Sequence, residues 1–183
     1  MIELTLEQME RAERVLAKVP GAAPRAMANA INRAAETART EAARKVRETY
    51  YVRHQDVIQT IKIYKATPSD LHAIVISRGH LFPLTKFRVT PRQPQPRRKR
   101  PIVVRVKRGA GGTVEKAFVA RMPSGHLGVF HRAGKPRLPI IERFGPSVPQ
   151  MLESEDVRRW VEEKAAERLD DRLEHEIRRF LKD

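Results

Sequence analysis

The sequence predicts an α+β fold: an antiparallel, partly barrel-like sheet packed with N-terminal helices and a long C-terminal helix, plus an extended basic loop. Three observations carry this. Apolar residues recur at helical spacing near the start of the chain and again from Ser154 onward. Between these regions, short β-rich runs are separated by turns bearing glycine and proline. Within that middle lies PRQPQPRRKRP, residues 91–101, with four prolines, five basic residues and no acid.

Thr5-Leu6-Glu7-Gln8 spells a capping box, and Leu4 and Met9 stand where a hydrophobic staple would close over it. Leu6, Met9, Leu16 and Val19 keep a helical repeat until Pro20-Gly21 stops it. A second helix opens near Pro24, a residue tolerated in the first turn. Its face of Met27, Ile31, Ala34, Ala38, Ala42 and Val46 is mostly alanine, which admits a close neighbour but buries little area per residue. A short helix follows over His54 to Thr60.

The grammar then changes. Ile61 to Lys65 alternates, Pro68-Ser69-Asp70 turns, and Leu71 to Ser77 is β-rich, which predicts a hairpin. LFPLTKFRV reads as apolar and extended. Strands are expected at Ile102 to Lys107, Thr113 to Arg121, Gly128 to Arg132 and Leu138 to Arg143, forming a meander that is closed or nearly so.

From Ser154, a potential cap, helical period returns. Glu155 and Asp156 face the positive end of the helix dipole, and Arg178, Arg179 and Lys182 the negative end. The stripe is Val157, Trp160, Val161, Leu169, Leu173, Ile177 and Phe180. A helix of roughly 40 Å would overhang a small sheet. Trp160, Val161, Leu169 and Leu173 are therefore candidate subunit contacts; packing wholly on the chain's own sheet is the alternative. The organisation expected is a single domain over 1–183, with a flexible Pro-rich basic arm at 88–101 and the C-terminal helix at 152–183.

Charge is unevenly placed. The net of +15 divides into 10 Lys and Arg against 8 Asp and Glu in residues 1–60, 19 against 3 in 61–150, and 8 against 11 in 151–183. Such asymmetry predicts a polyanionic or acidic partner for the middle. The candidate contacts are Arg92, Arg97, Arg98, Lys99, Arg100, Arg105, Lys107 and Arg108. The arm can be read as a sequence-blind phosphate contact, as a dock for an acidic neighbour, or as a loop that Pro91, Pro94, Pro96 and Pro101 keep extended. No aromatic residue interleaves the basic run, so it offers no platform for base stacking.

Catalytic patterns are missing from the sequence. With no cysteine, disulfides and thiolate metal sites are excluded. The six histidines are scattered, and His126-x4-His131 is half of a zinc-finger spacing with nothing to complete it. Gly109-Ala110-Gly111-Gly112-Thr113 lacks the Lys-Ser/Thr ending of a phosphate loop and reads as a hairpin loop. Glu115 and Glu142 are the only carboxylates between Asp70 and Glu153, too few for a planned acid pair. No apolar run approaches the roughly 18 residues that span a bilayer, and the N-terminus lacks the pattern of a secretory signal. The expectation is a soluble protein made inside a cell.

One stretch is unusual for ordinary strand and loop: GVFHRAGKPRLPIIERFGPSVPQML, residues 128–152. Val129 to Arg132, Gly134-Lys135, Arg137-Leu138-Pro139-Ile140 and Gly145-Pro146-Ser147-Val148-Pro149-Gln150-Met151 resemble the signature of the prophage minor tail protein Z family. Upstream, Ala30-Ile31-Asn32-Arg33, Ala38-Arg39-Thr40, Ser77-Arg78-Gly79, Phe82-Pro83-Leu84 and Phe87 are similar too, so the resemblance runs from about residue 20 to 155. It implies a structural role at the head-proximal end of a long-tailed phage tail, completing the tail and joining it to the head. It implies no reaction and no cofactor. It also implies a ring of copies around the tail axis, expected to be sixfold, beside the tail terminator and other neck proteins. The protein would be made in the bacterial host cytoplasm.

In that setting Pro139, Gly145, Pro146 and Pro149 form a stiff hinge, because proline fixes φ and removes an amide donor. The arm faces either the channel that holds the end of the phage DNA or an acidic partner. The sequence favours the partner, since a strongly basic channel would retard departing DNA. The competing function is a sequence-nonspecific nucleic-acid-binding protein that uses the basic 61–150 region.

Overall fold

Two helices of equal length organise the molecule, α2 (Ala22–Thr49) and α5 (Glu155–Lys182), each of 28 residues. The computed structural model describes residues 1–97 and 100–182; the expected contacts Arg98 and Lys99 lie outside the described residues. Ahead of α2, helix α1 (Leu6–Leu16) starts at the expected capping box: the Gln8 amide donates to Thr5 Oγ1 at 3.3 Å, and the Thr5 amide to Gln8 Oε1 at 2.8 Å. The reversal into α2 passes through Gly21 at φ 68°, a conformation a Cβ would disfavour.

Helices α2 and α5 lie antiparallel. Asn29 near the start of α2 reaches Glu176 near the end of α5 at 3.2 Å, while Glu41 further along α2 accepts from Trp160 Nε1 at 3.0 Å. The alanine stripe explains the close fit: Ala30, Ala34, Ala35 and Ala43 are wholly buried. Their missing bulk brings the two backbones together, so enlarging any of them would overpack the seam at about 1–3 kcal/mol. The apolar residues divide into two clusters. One joins α1, the first half of α2 and Leu169, Leu173 and Ile177 of α5. The other joins the second half of α2, the strands and Val157. Both long helices run through both clusters.

After α2 come α3 (His54–Ile58) and a hairpin of β1 (Ile61–Tyr64) with β2 (Ile74–Ser77), in register Ile61 to Ser77. The expected extended segment is interrupted. Strand β3 (Phe82–Pro83) gives way to a 3-10 turn at Leu84–Lys86 before β4 (Arg88–Thr90). This turn buries Leu84 and Phe87, which a continuous strand would have sent to opposite faces. β4 pairs with β5 (Ile102–Arg105), so residues 91–101 are the loop at the tip of a β4–β5 hairpin. β5 also pairs with β6 (Gly112–Val114). A second three-stranded sheet holds β7 (Ala117–Arg121), β8 (Leu127–Arg132) and β9 (Ile140–Glu142), and β10 (Phe144–Gly145) returns to β3.

The α+β architecture and its antiparallel pairing are as the sequence predicts, but the meander does not close. Among the described residues the strands form four open sheets. The reason is local. The single strand expected over Thr113 to Arg121 breaks at a corner where Lys116 takes φ 55°, which sends β6 and β7 into different sheets. A barrel requires an uninterrupted ladder around its circumference.

Candidate functional site

The segment expected to act as a hinge is held from both sides. Gly145 sits on β10 with no room for a side chain, since an added Cβ would stand 2.6 Å from Phe87 Cε2. Pro146 leads into Ser147, which opens α4 (Val148–Leu152) with a second capping box. The Ser147 amide donates to Gln150 Oε1 at 2.9 Å, and the Gln150 amide to Ser147 Oγ at 3.4 Å. Pro149 occupies the first turn of α4, where its missing N–H loses nothing. Val148 and Met151 are wholly buried, so α4 is nailed to the sheet-side core. Ser154 does not cap α5 with its side chain as expected; its hydroxyl turns back to donate to the Met151 carbonyl at 2.7 Å. Pro139, by contrast, stands apart just ahead of β9, and its carbonyl accepts from the Ala133 amide at 3.1 Å. Three exposed apolar side chains, Leu138, Ile141 and Phe144, flank this segment.

The four α5 residues separate. Leu169 and Leu173 are 6% and 3% exposed and belong to the chain's own helical core. Val161 is half-buried against the sheet-side core. Trp160 is also half-buried, with Lys45 Nζ 4.6 Å, Lys164 Nζ 5.4 Å and the Arg44 guanidinium 5.6 Å from its ring. Helix α5 lies along α2, a helix of equal length; Val157, Leu169, Leu173 and Ile177 of its stripe are buried, while Trp160, Val161 and Phe180 are half-buried.

The predicted cations lie at the surface. Arg92, Arg97 and Arg100 are exposed on the β4–β5 loop, and Arg105, Lys107 and Arg108 are exposed on and just after β5. The backbone of 49–51 runs beside that of 106–108. The Tyr51 amide donates to Val106 O at 2.9 Å and the Arg108 amide to Thr49 O at 2.8 Å. This puts Lys107 Nζ 5.5 Å from the Tyr50 ring centroid and the Arg108 guanidinium 4.8 Å from that of Tyr51. Arg88 on β4 also lies over Tyr51, at 5.6 Å. Tyr50, Tyr51, Arg53 and Arg88 were not among the residues the sequence singled out. The arm lacks aromatics of its own, and the tyrosines come from the end of α2.

The residues weighed for chemistry stay apart. His126 Nε2 contacts Glu142 Oε1 at 2.8 Å, whereas His131 Nδ1 faces the Ile141 carbonyl at 3.1 Å. Glu115 lies in the β6–β7 corner, and no hydrogen bond or ion pair joins it to Glu142 among the described residues. No group of three His, Asp or Glu side chains among the described residues is placed to hold a metal ion. Gly109, Ala110 and Gly111 lie in the β5–β6 hairpin loop, and Gly112 opens β6. No helix is long and apolar enough to cross a membrane among the described residues.

A family model described as Prophage minor tail protein Z (GPZ) matches residues 6–183. The chain belongs to that family. It is a phage minor tail protein, a structural component of the virion tail. No curated protein and no solved structure matches it. For a minor tail protein Z the match extends past the stretch from about 20 to 155 that carries the resemblance, taking in α1 and all of α5. The signature at 128–152 becomes β8, β9, β10 and α4, the segment that links the second sheet to the helix pair.

Proposed function

We propose that this minor tail protein completes the head-proximal end of a long-tailed phage tail and helps join it to the head, without catalysis. It works as a ring, of six copies, around the tail axis, in contact with the tail terminator and other neck proteins. The observation that carries this reading is the family match over residues 6–183. The hinge supports it. A ring needs every copy to present the same surfaces at the same angle, because a heterologous interface closes only for one rotation. The buried Val148 and Met151, the Ser147–Gln150 box and the Gly145–Phe87 contact hold that angle. Exposed Leu138, Ile141 and Phe144 beside the hinge offer apolar area to a neighbour.

Electron microscopy of tails assembled with and without the protein tests the proposal. Tails lacking it should have normal length and fail to attach productively to heads. Its absence from virions and assembly intermediates alike would overturn the reading.

A further inference from the structure

A cleft of about 570 Å³ opens between the end of α2, the 3-10 turn, β4 and the residues after β5. Tyr51, Arg53, Arg88, Arg92 and Arg108 are among its lining residues, and no carboxylate lines it. All four arginines are exposed, and among the described residues none pairs with an Asp or Glu. The fifth cation of the lining, Lys86, is already engaged by Asp56 at 2.8 Å.

Folding does not call for this arrangement. Arg88 stands directly opposite Arg105 across the β4–β5 ladder, and like charges in that position destabilise a strand pair. Arg88 and Arg108, from distant parts of the chain, converge on the Tyr51 ring at 5.6 and 4.8 Å. Tyr51 is itself held by the hydrogen bond that its amide donates to the Val106 carbonyl. The Tyr51 ring lies under both guanidinium groups, Arg108 Nε also donates to the Arg47 carbonyl at 3.0 Å, and a planar fork held in place is suited to paired anionic oxygens.

We propose that this cleft binds the phosphate backbone of nucleic acid without regard to sequence. Two observations favour phosphate over the carboxylates of a protein partner. Exposed cations do not end at the cleft: Arg92, Arg97 and Arg100 follow on the loop, Arg105 closes β5 and Lys107 comes just after it, with no Asp or Glu in the sequence between Asp70 and Glu115. A stretch of chain that long without an acid suits a repeating anion. Each copy brings its own +15, so pairing between copies would leave a large positive surplus that a nucleic-acid backbone neutralises. The cleft belongs to one copy, so this inference stands or falls separately from the ring.

The test is fluorescence anisotropy of the full chain with a labelled mixed-sequence duplex of about 20 base pairs, from about 50 to about 200 mM salt, with poly-L-glutamate as the comparison ligand. The wild-type chain should bind the duplex with log affinity falling linearly with log salt. Arg88→Ala with Arg108→Ala should reduce that slope by about 2 and the affinity at low salt by about tenfold or more. Arg88→Lys with Arg108→Lys should keep the slope. Arg158→Ala with Arg159→Ala, two exposed cations on α5, should leave slope and affinity as they were. Should the alanine pair prevent folding, Arg92→Glu on the exposed flank takes its place and should likewise lower the slope. The proposal is overturned by no duplex binding at low salt, by an unchanged slope in the cleft variants, by an equal loss from the α5 pair, or by tighter binding of poly-L-glutamate than of duplex. Tail joining is read in a separate assay and can succeed or fail independently.

Discussion

The side-chain amide of Asn32 forms two hydrogen bonds with the backbone of Ala66, donating to its carbonyl at 2.9 Å and accepting from its amide at 2.8 Å. A residue on α2 thereby supplies to the loop after β1 the pairing that a neighbouring strand would have supplied, and anchors the β1–β2 hairpin to the helix pair. Asn32→Ala leaves both backbone groups without a partner. Each such loss costs about 1–3 kcal/mol, so the variant should lose about 2–6 kcal/mol of stability. Asn32→Asp, which keeps only the acceptor, should lose less. Urea unfolding measures both.

One turn further along α2, Glu36 meets Lys65 at 3.3 Å and Arg33 at 3.0 Å. Burial pushes the Glu36 carboxyl up, but the hydrogen bonds and charges of Lys65 and Arg33 outweigh it and hold the carboxyl below its ordinary value. A lowered folded-state value means stability that is present above the usual glutamate range and lost as pH falls through the lowered value. The groups are largely exposed, so the effect should stay under about 1 kcal/mol. Comparing wild type with Glu36→Gln at neutral and acid pH should show a difference at neutrality that vanishes in acid.

Glu176 is 2% exposed and takes Arg172 at 3.0 Å, Arg179 at 3.1 Å and Asn29 at 3.2 Å. Glu176→Ala should cost about 3–5 kcal/mol, because Arg172, itself largely buried, would be left without its counter-charge. Glu176→Gln, which retains the shape, should cost less. Thermal unfolding followed by circular dichroism separates the two.

Gly145→Ala would drive a methyl group to 2.6 Å from Phe87 Cε2, and should destabilise by about 1–3 kcal/mol. Phe87→Leu leaves a gap of its own, but the two changes together should cost less than their sum. A double-mutant cycle with a coupling energy near zero would show that the ring and the glycine do not confront each other.

The single tryptophan, Trp160, sits at the α2–α5 seam with its Nε1 on Glu41. Because both long helices run through both apolar clusters, neither cluster can open without disturbing the other. Trp160 emission and far-ultraviolet circular dichroism should therefore follow one coincident unfolding transition. Two separated midpoints would contradict this.

What could be read from the residues was local. Thr5 and Gln8 carry their cap in four adjacent positions, and the alanine face of α2 follows from spacing alone. Ser147 and Gln150 carry the same signal, set between Pro146 and Pro149, whose own stiffness is the more conspicuous feature of the segment. The corner at Lys116 has no glycine to mark it, so β6 and β7 read as one strand. The cluster at Tyr51 was beyond reach for another reason. It exists because 49–51 pairs with 106–108, and no periodicity links those segments.

The α2–α5 pair, about 42 Å long, is moored to the strands at more than one point: through Val148 and Met151 of α4, through the Asn32–Ala66 bonds, and through the core that Ala42, Ala43 and Val46 share with the sheets. No single mooring sets its orientation. A substitution at Gly145 or Met151 would therefore cost stability before it turned the helices.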